Sequence, residues 1–134
     1  MNRDYAVLIV EESPHEAAVI TSAIRLYDAR MEVRTVQNPR AAFDYLHDAG
    51  SAATRRLVIL GERALAQAAE LLPRLNGARS RHAIVGIAPH IAAAVRDRAL
   101  DAGVLQIHER PGSWAEYRDL VGAILQSWLE AERP

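Results

Sequence analysis

Short apolar runs alternate along this chain with stretches of helical period. Ala6-Val-Leu-Ile-Val10 is continuous and rich in β-branched residues, as a strand covered on both faces must be. Ser13-Pro14-His15-Glu16 then supplies a serine N-cap, a proline for the first helical position and a glutamate to close a capping box. Ala17, Ile20, Ala23, Ile24 and Tyr27 share one face of the helix that follows. Met31 to Val36 reads as a second strand, and Asn38-Pro39 opens a helix carrying Ala42, Phe43 and Leu46 that ends near Gly50. A polar loop leads to a third buried strand, Leu57-Val-Ile-Leu60, and Ala64 to Leu75 reads as one helix stopped at Asn76-Gly77. Ala83 to Ile87 is a fourth strand, with Gly86 marking weakness or a close backbone approach. A helix from Ile91 to Ala102 stops at Gly103, and Val104 to His108 is a short fifth strand. Ser113 and Glu116 form a second capping box for a last helix reaching about Ala131.

Five strands alternating with five helices predict an α/β fold, a parallel sheet with helices on both faces, because each crossover is right-handed. With 134 residues the chain is expected to form one domain, 1–134, large enough for a core of its own. Apolar residues make up 50% and no apolar run reaches spanning length, so no membrane role is expected. The opening Met-Asn-Arg-Asp lacks the long apolar stretch of a signal peptide, and a cytoplasmic location follows as an expectation. The absence of cysteine removes disulfides, thiol catalysis and thiolate-held metal. A net charge of −1 gives no reason to expect nucleic acid as a partner. All sixteen basic residues are arginine.

In a doubly wound sheet the site lies beyond the carboxyl ends of the strands. The residues there are Glu11-Glu12, Gly61, Ala88-Pro89 and Glu109-Arg110-Pro111. A nucleotide or flavin site would place glycines after the first strand so that backbone amides could reach the phosphate. Glu11 and Glu12 stand there instead, and adjacent carboxylates repel phosphate. They could hold a hard cation such as magnesium, act as an acid/base pair, or simply be exposed acids at a loop mouth. His15, His47, His82, His90 and His108 show no ligand spacing, no serine has a nucleophile-elbow context, and Arg55-Arg56 and Arg79…Arg81 read as solvated edges.

Val10-Glu11-Glu12-Ser13-Pro14, the strand Leu57–Leu60 and Ala102-Gly103…Arg110-Pro111 resemble, in order and spacing, the bacterial response-regulator receiver domain. Phe43-Asp44-Tyr45-Leu46 and Ile124-Leu125-Gln126-Ser127-Trp128-Leu129 are similar to single-domain regulators that partner phytochrome-type histidine kinases. The resemblance implies the three-layer, CheY-like (βα)5 fold, flavodoxin-like, with a five-stranded parallel sheet in the order 2-1-3-4-5. It also implies a phosphoryl-accepting aspartate where this chain has Gly61, a hydroxyl where it has Ala88, and a lysine where it has Arg110. Glu12 stands for a metal-binding aspartate, Ile107 for an aromatic switch residue, and the stretch from Gly61 to Ala88 is a few residues short.

The expectation is therefore a pseudo-receiver: a two-component signalling protein without an output domain, not an enzyme, acting by protein contact rather than by its own phosphorylation. No cofactor is expected, and magnesium should bind at Glu11 and Glu12 weakly or not at all. The competing expectations are a competent receiver in which a nearby glutamate takes the phosphoryl group with magnesium, and, more remotely, an acid/base enzyme using Glu11 and Glu12. Glu62 is either a stand-in for a phosphorylated aspartate, paired with Arg110, or an ordinary first-turn glutamate. Adjacent strand residues point to opposite faces, so Glu62 should not inherit the aspartate's direction. A histidine kinase, phytochrome-type by resemblance, is the expected partner, together with a second copy of the chain. The last helix, about 27 Å long at 1.5 Å per residue, should overhang a strand of about 17 Å. Leu125, Trp128 and Leu129 would then form an exposed apolar dimer contact, unless Trp128 folds back onto its own domain.

Overall fold

A computed structural model describes residues 5–48, 55–75 and 82–132. The elements in chain order are β1 (Tyr5–Val10), α1 (Pro14–Tyr27), β2 (Glu32–Val36), α2 (Pro39–Asp48), β3 (Arg55–Leu60), α3 (Glu62–Ala66), α4 (Ala68–Leu75), β4 (His82–Ala88), α5 (Ala93–Ala102), β5 (Gln106–Glu109) and α6 (Trp114–Ala131). The strands form one parallel sheet in the order β2-β1-β3-β4-β5. This is the flavodoxin-like order, with its winding reversal at β1 and β3.

Strand alternation divides the core into two layers. Val7, Ile9, Leu57, Ile59, Val85 and Ile87 face α1 and α6. Leu8, Val10, Val58, Leu60, Ile84 and Ala88 face α2 to α5. Gly86 permits the second layer to close: a Cβ there would lie 2.6 Å from the methyl carbons of Leu65 on α3. Gly103 ends α5 at φ 120°, a conformation that L side chains rarely adopt.

The expected helix from Ala64 to Leu75 is two helices. The first starts at Glu62, with Gly61 as its cap, and Gln67 interrupts the run, its carbonyl accepting from the N–H groups of Glu70 and Leu71. Ser13 caps α1 through Glu16 N–H at 3.3 Å, and Ser113 caps α6 through Glu116 N–H at 3.2 Å. The first capping box, however, is not closed by Glu16. Glu11 accepts the N–H of Ser13 at 2.9 Å, and the Glu16 carboxylate is used elsewhere.

Two expectations about edges are corrected. Leu125 and Trp128 are not an overhang: they are 0% and 6% exposed, and Leu129 packs half-buried beside them. The strands begin earlier than their apolar runs, and their first side chains extend under the last turns of α6. Tyr5 meets Trp128 edge-to-face at 5.6 Å, and Arg55 donates to the Glu132 carbonyl at 2.7 Å. Arg56 is likewise no solvated edge, since it is buried with its guanidinium 5.8 Å from the Tyr45 ring. The expected helix ends at Gly50 and Asn76-Gly77, the opening Met-Asn-Arg-Asp, and Arg79 and Arg81 lie outside the described residues.

Candidate functional site

Parallel hydrogen bonding continues one residue beyond the strands and lines up the loops of the site. Glu11 N–H donates to Val36 O at 2.9 Å, Gly61 N–H to Val10 O at 2.9 Å, and Arg110 N–H to Ala88 O at 2.8 Å. Glu11 and Gly61 thus sit side by side at the carboxyl edge, and Arg110 stands two strands further along, beyond the end of β4. Glu11 and Arg110 border a cleft of about 630 Å³ that also takes in Glu12, Glu16, Glu62, Arg63 and Pro89, and Gly61 lies buried beneath the Glu11 carboxylate.

The cleft is paired internally. Arg63 meets Glu12 at 2.8 Å, both exposed, and Arg110 meets Glu16 at 3.4 Å. The other oxygen of Glu16 accepts the Tyr117 hydroxyl at 2.8 Å, so one carboxylate ties the loop after β5 to α1 and α6. Burial, and then the bond to Glu16, push the Tyr117 phenol well above its ordinary pKa and keep it a donor. Glu11 turns one oxygen to Ser13 N–H, and the rest of its carboxylate covers Gly61. A Cβ built on Gly61 would lie 2.8 Å from the Glu11 carboxyl carbon.

Of the residues singled out from sequence, Glu11, Glu12, Gly61 and Arg110 therefore come together. Ala88 is buried at the end of β4 and offers a methyl group. Glu62 does not pair with Arg110, whose partner is Glu16; Glu62 opens α3 as an exposed first-turn acid. Glu16, Arg63 and Tyr117 were not anticipated as site residues. The Ser-x-x-Glu spacing gives Glu16 a capping role, and Tyr117 stands out in the sequence only for its apolar face. Its position one helical turn after the Ser113 cap could have placed its hydroxyl near the sheet's carboxyl edge.

A divalent cation does not fit this donor set. Magnesium demands near-octahedral oxygen coordination. Glu12 is engaged by Arg63, and Glu11 already accepts Ser13 N–H. Among the described residues no group of three or more His, Asp or Glu is placed to hold a metal ion, and no helix is long and apolar enough to cross a membrane.

No protein-family model and no curated protein matches the sequence. Solved structures do match. A response regulator from Hahella chejuensis superimposes with a TM-score of 0.76 at 18% identity, over 97% of this chain and 98% of that one. The response regulator RPA3017 in red light signaling of R. palustris gives 0.75 at 15%, and the phosphorylated cyanobacterial phytochrome response regulator RcpA gives 0.74 at 17%; each covers 96% of both chains. At these identities the likeness establishes the fold, that of a response-regulator receiver domain spanning nearly the whole chain.

Proposed function

We propose that this protein is a response-regulator-like component of two-component signalling, with a receiver-type domain that works through protein contacts without taking a phosphoryl group itself. The observation that carries this reading is the end of β3, where Gly61 has no side chain and the Glu11 carboxylate covers the position. Acyl phosphate formation at residue 61 is chemically impossible. Ala88 offers no hydroxyl to a phosphoryl oxygen, and both arginines of the cleft are already matched by glutamates. The protein is accordingly a binding module rather than an enzyme, with no cofactor and little affinity for magnesium, and it acts in the cytoplasm. Its partner is a histidine kinase of the phytochrome type. The structural likeness to RcpA, a phytochrome response regulator, and to RPA3017, a response regulator in red light signaling, supports that assignment.

The test is incubation with acetyl phosphate and magnesium, read by intact mass. Unmodified protein is expected; a stable phosphate adduct on Glu11, Glu12 or Glu62 would replace this reading with that of a competent receiver. Self-association through α6 is a separate proposal. With Leu125 and Trp128 buried in their own domain, only the half-buried Leu129 of the three expected contact residues is left at the rim. Light scattering on the intact chain decides it, a dimer at micromolar concentration supporting the contact and a monomer removing it.

A further inference from the structure

We infer that Glu11 closes the cleft from within, its carboxylate lying where a side chain at position 61 would go, so that the two positions are coupled by size. The inference rests on the proposed function and names the residue that enforces it. Gly61 has φ −78° and ψ −175°, an extended conformation open to every residue. The backbone therefore does not demand glycine; the neighbour does. Val10 and Leu60 are partners in register across β1 and β3, which sets the next residues, Glu11 and Gly61, side by side. The Ser13 N–H holds one Glu11 oxygen at 2.9 Å, and this directs the carboxylate back across Gly61.

A side chain at 61 would displace a group that has a hydrogen bond to lose. Neither cation of the cleft offers an alternative, since Arg63 is paired with Glu12 and Arg110 with Glu16. A side chain at position 61 can be taken in only if the Glu11 carboxylate gives up the Ser13 N–H and turns toward water.

Thermal unfolding of Gly61→Ala in several backgrounds tests the coupling. With Glu11, or with the same-sized Glu11→Gln, the added methyl should lower the melting temperature by about 3 °C, the effect of turning the residue 11 side chain away from its hydrogen bond to Ser13 N–H. With Glu11→Ala it should leave the temperature unchanged or raise it by about 2 °C, because alanine restricts the unfolded chain at a φ it adopts freely. Glu11→Ser serves the same comparison if the alanine background folds poorly. Equal shifts in all backgrounds, or a loss seen with Glu11 but not in the Glu11→Gln background, overturn the inference. A phosphate adduct on the unmodified chain would instead overturn the proposed function while leaving the size coupling intact.

Discussion

Gly61 and Gly86 are one residue type put to two uses. Leu60 and Gly86 are register partners in the middle of the sheet, and Gly61 is the next residue along. Neither has a positive φ. Each lacks a side chain because another side chain lies across it: the methyl groups of Leu65 over Gly86, the carboxylate of Glu11 over Gly61. At Gly86 the result is core, with Leu65 1% exposed and packed in the layer beneath α3. At Gly61 the result is a filled pocket floor in a cleft open to solvent. The same steric device builds stability in an apolar setting and removes chemistry in a polar one. What differs is whether the covering group can retreat.

That difference sets the order of expected effects. Gly86→Ala should be the most damaging, about 3 kcal/mol, because Leu65 has only packed core to move into. Denaturant unfolding reads it, and Leu65→Ala should absorb most of the cost of Gly86→Ala when the two are combined. Should Gly86→Ala be as mild as a surface substitution, the contrast between the two glycines fails. Gly61→Asp should cost less, about 2 kcal/mol, since the Glu11 carboxylate can swing toward water, although two carboxylates then share the site. By intact mass it should remain unphosphorylated with acetyl phosphate and magnesium; rapid modification of that single variant would mean that the cleft is far less closed than its geometry implies.

Acidification separates the two sites from a third contribution. Burial, and then the Arg56 guanidinium, lower the His82 pKa from 6.5 to about 4. Between these values the unfolded chain binds a proton that the folded one refuses. Stability is thus fully present above about pH 6.5 and is lost as the pH falls toward 4. The expected loss is on the order of 1–2 kcal/mol after discounting the partial exposure of the ring. His82→Gln should flatten this part of the pH profile, while Gly86→Ala should shift the whole profile downward without changing its slope.

The comparison also locates what was legible in the sequence. The strands were readable because β-branched runs such as Ala6–Val10 and Leu57–Leu60 are buried on both faces, and Gly86 stood out as a gap in such a run. The substitutions at Gly61, Ala88 and Arg110 could be read by position alone. What covers Gly61 could not, because it depends on where the Glu11 side chain turns, and a hydrogen bond to Ser13 decides that. The misplacement of α6 had a different origin. An apolar stripe on a long helix shows that Leu125 and Trp128 need cover but not who provides it; Tyr5, one residue ahead of the apolar run, does so within the same chain. The break at Gln67 left no mark in the run from Glu62 to Leu72, whose composition favours helix, and the one proline of the segment, Pro73, lies six residues past the break.

The smallest expected effect tests whether the cleft is joined to the rest of the fold. Tyr117 is 5% exposed, and its hydroxyl donates to Glu16 at 2.8 Å, the carboxylate that also holds Arg110 at 3.4 Å. Tyr117→Phe keeps the ring in its place among Val121, Ile124 and the α1 residues of the same layer, and removes only the hydroxyl. A hydrogen bond to a charged acceptor contributes about 1.5–3 kcal/mol, but Glu16 keeps Arg110 as a partner and can be rehydrated from the cleft. The net cost should be about 1 kcal/mol by denaturant unfolding. Glu16→Gln preserves an acceptor for Tyr117 while weakening the hold on Arg110, so the two variants separate the buried bond from the partly exposed pair. If Tyr117→Phe also changes the melting-temperature response of Gly61→Ala, the floor of the cleft and α6 move together. If the two substitutions are additive, the filled pocket is a local arrangement, and partners would sense it only at the carboxyl edge.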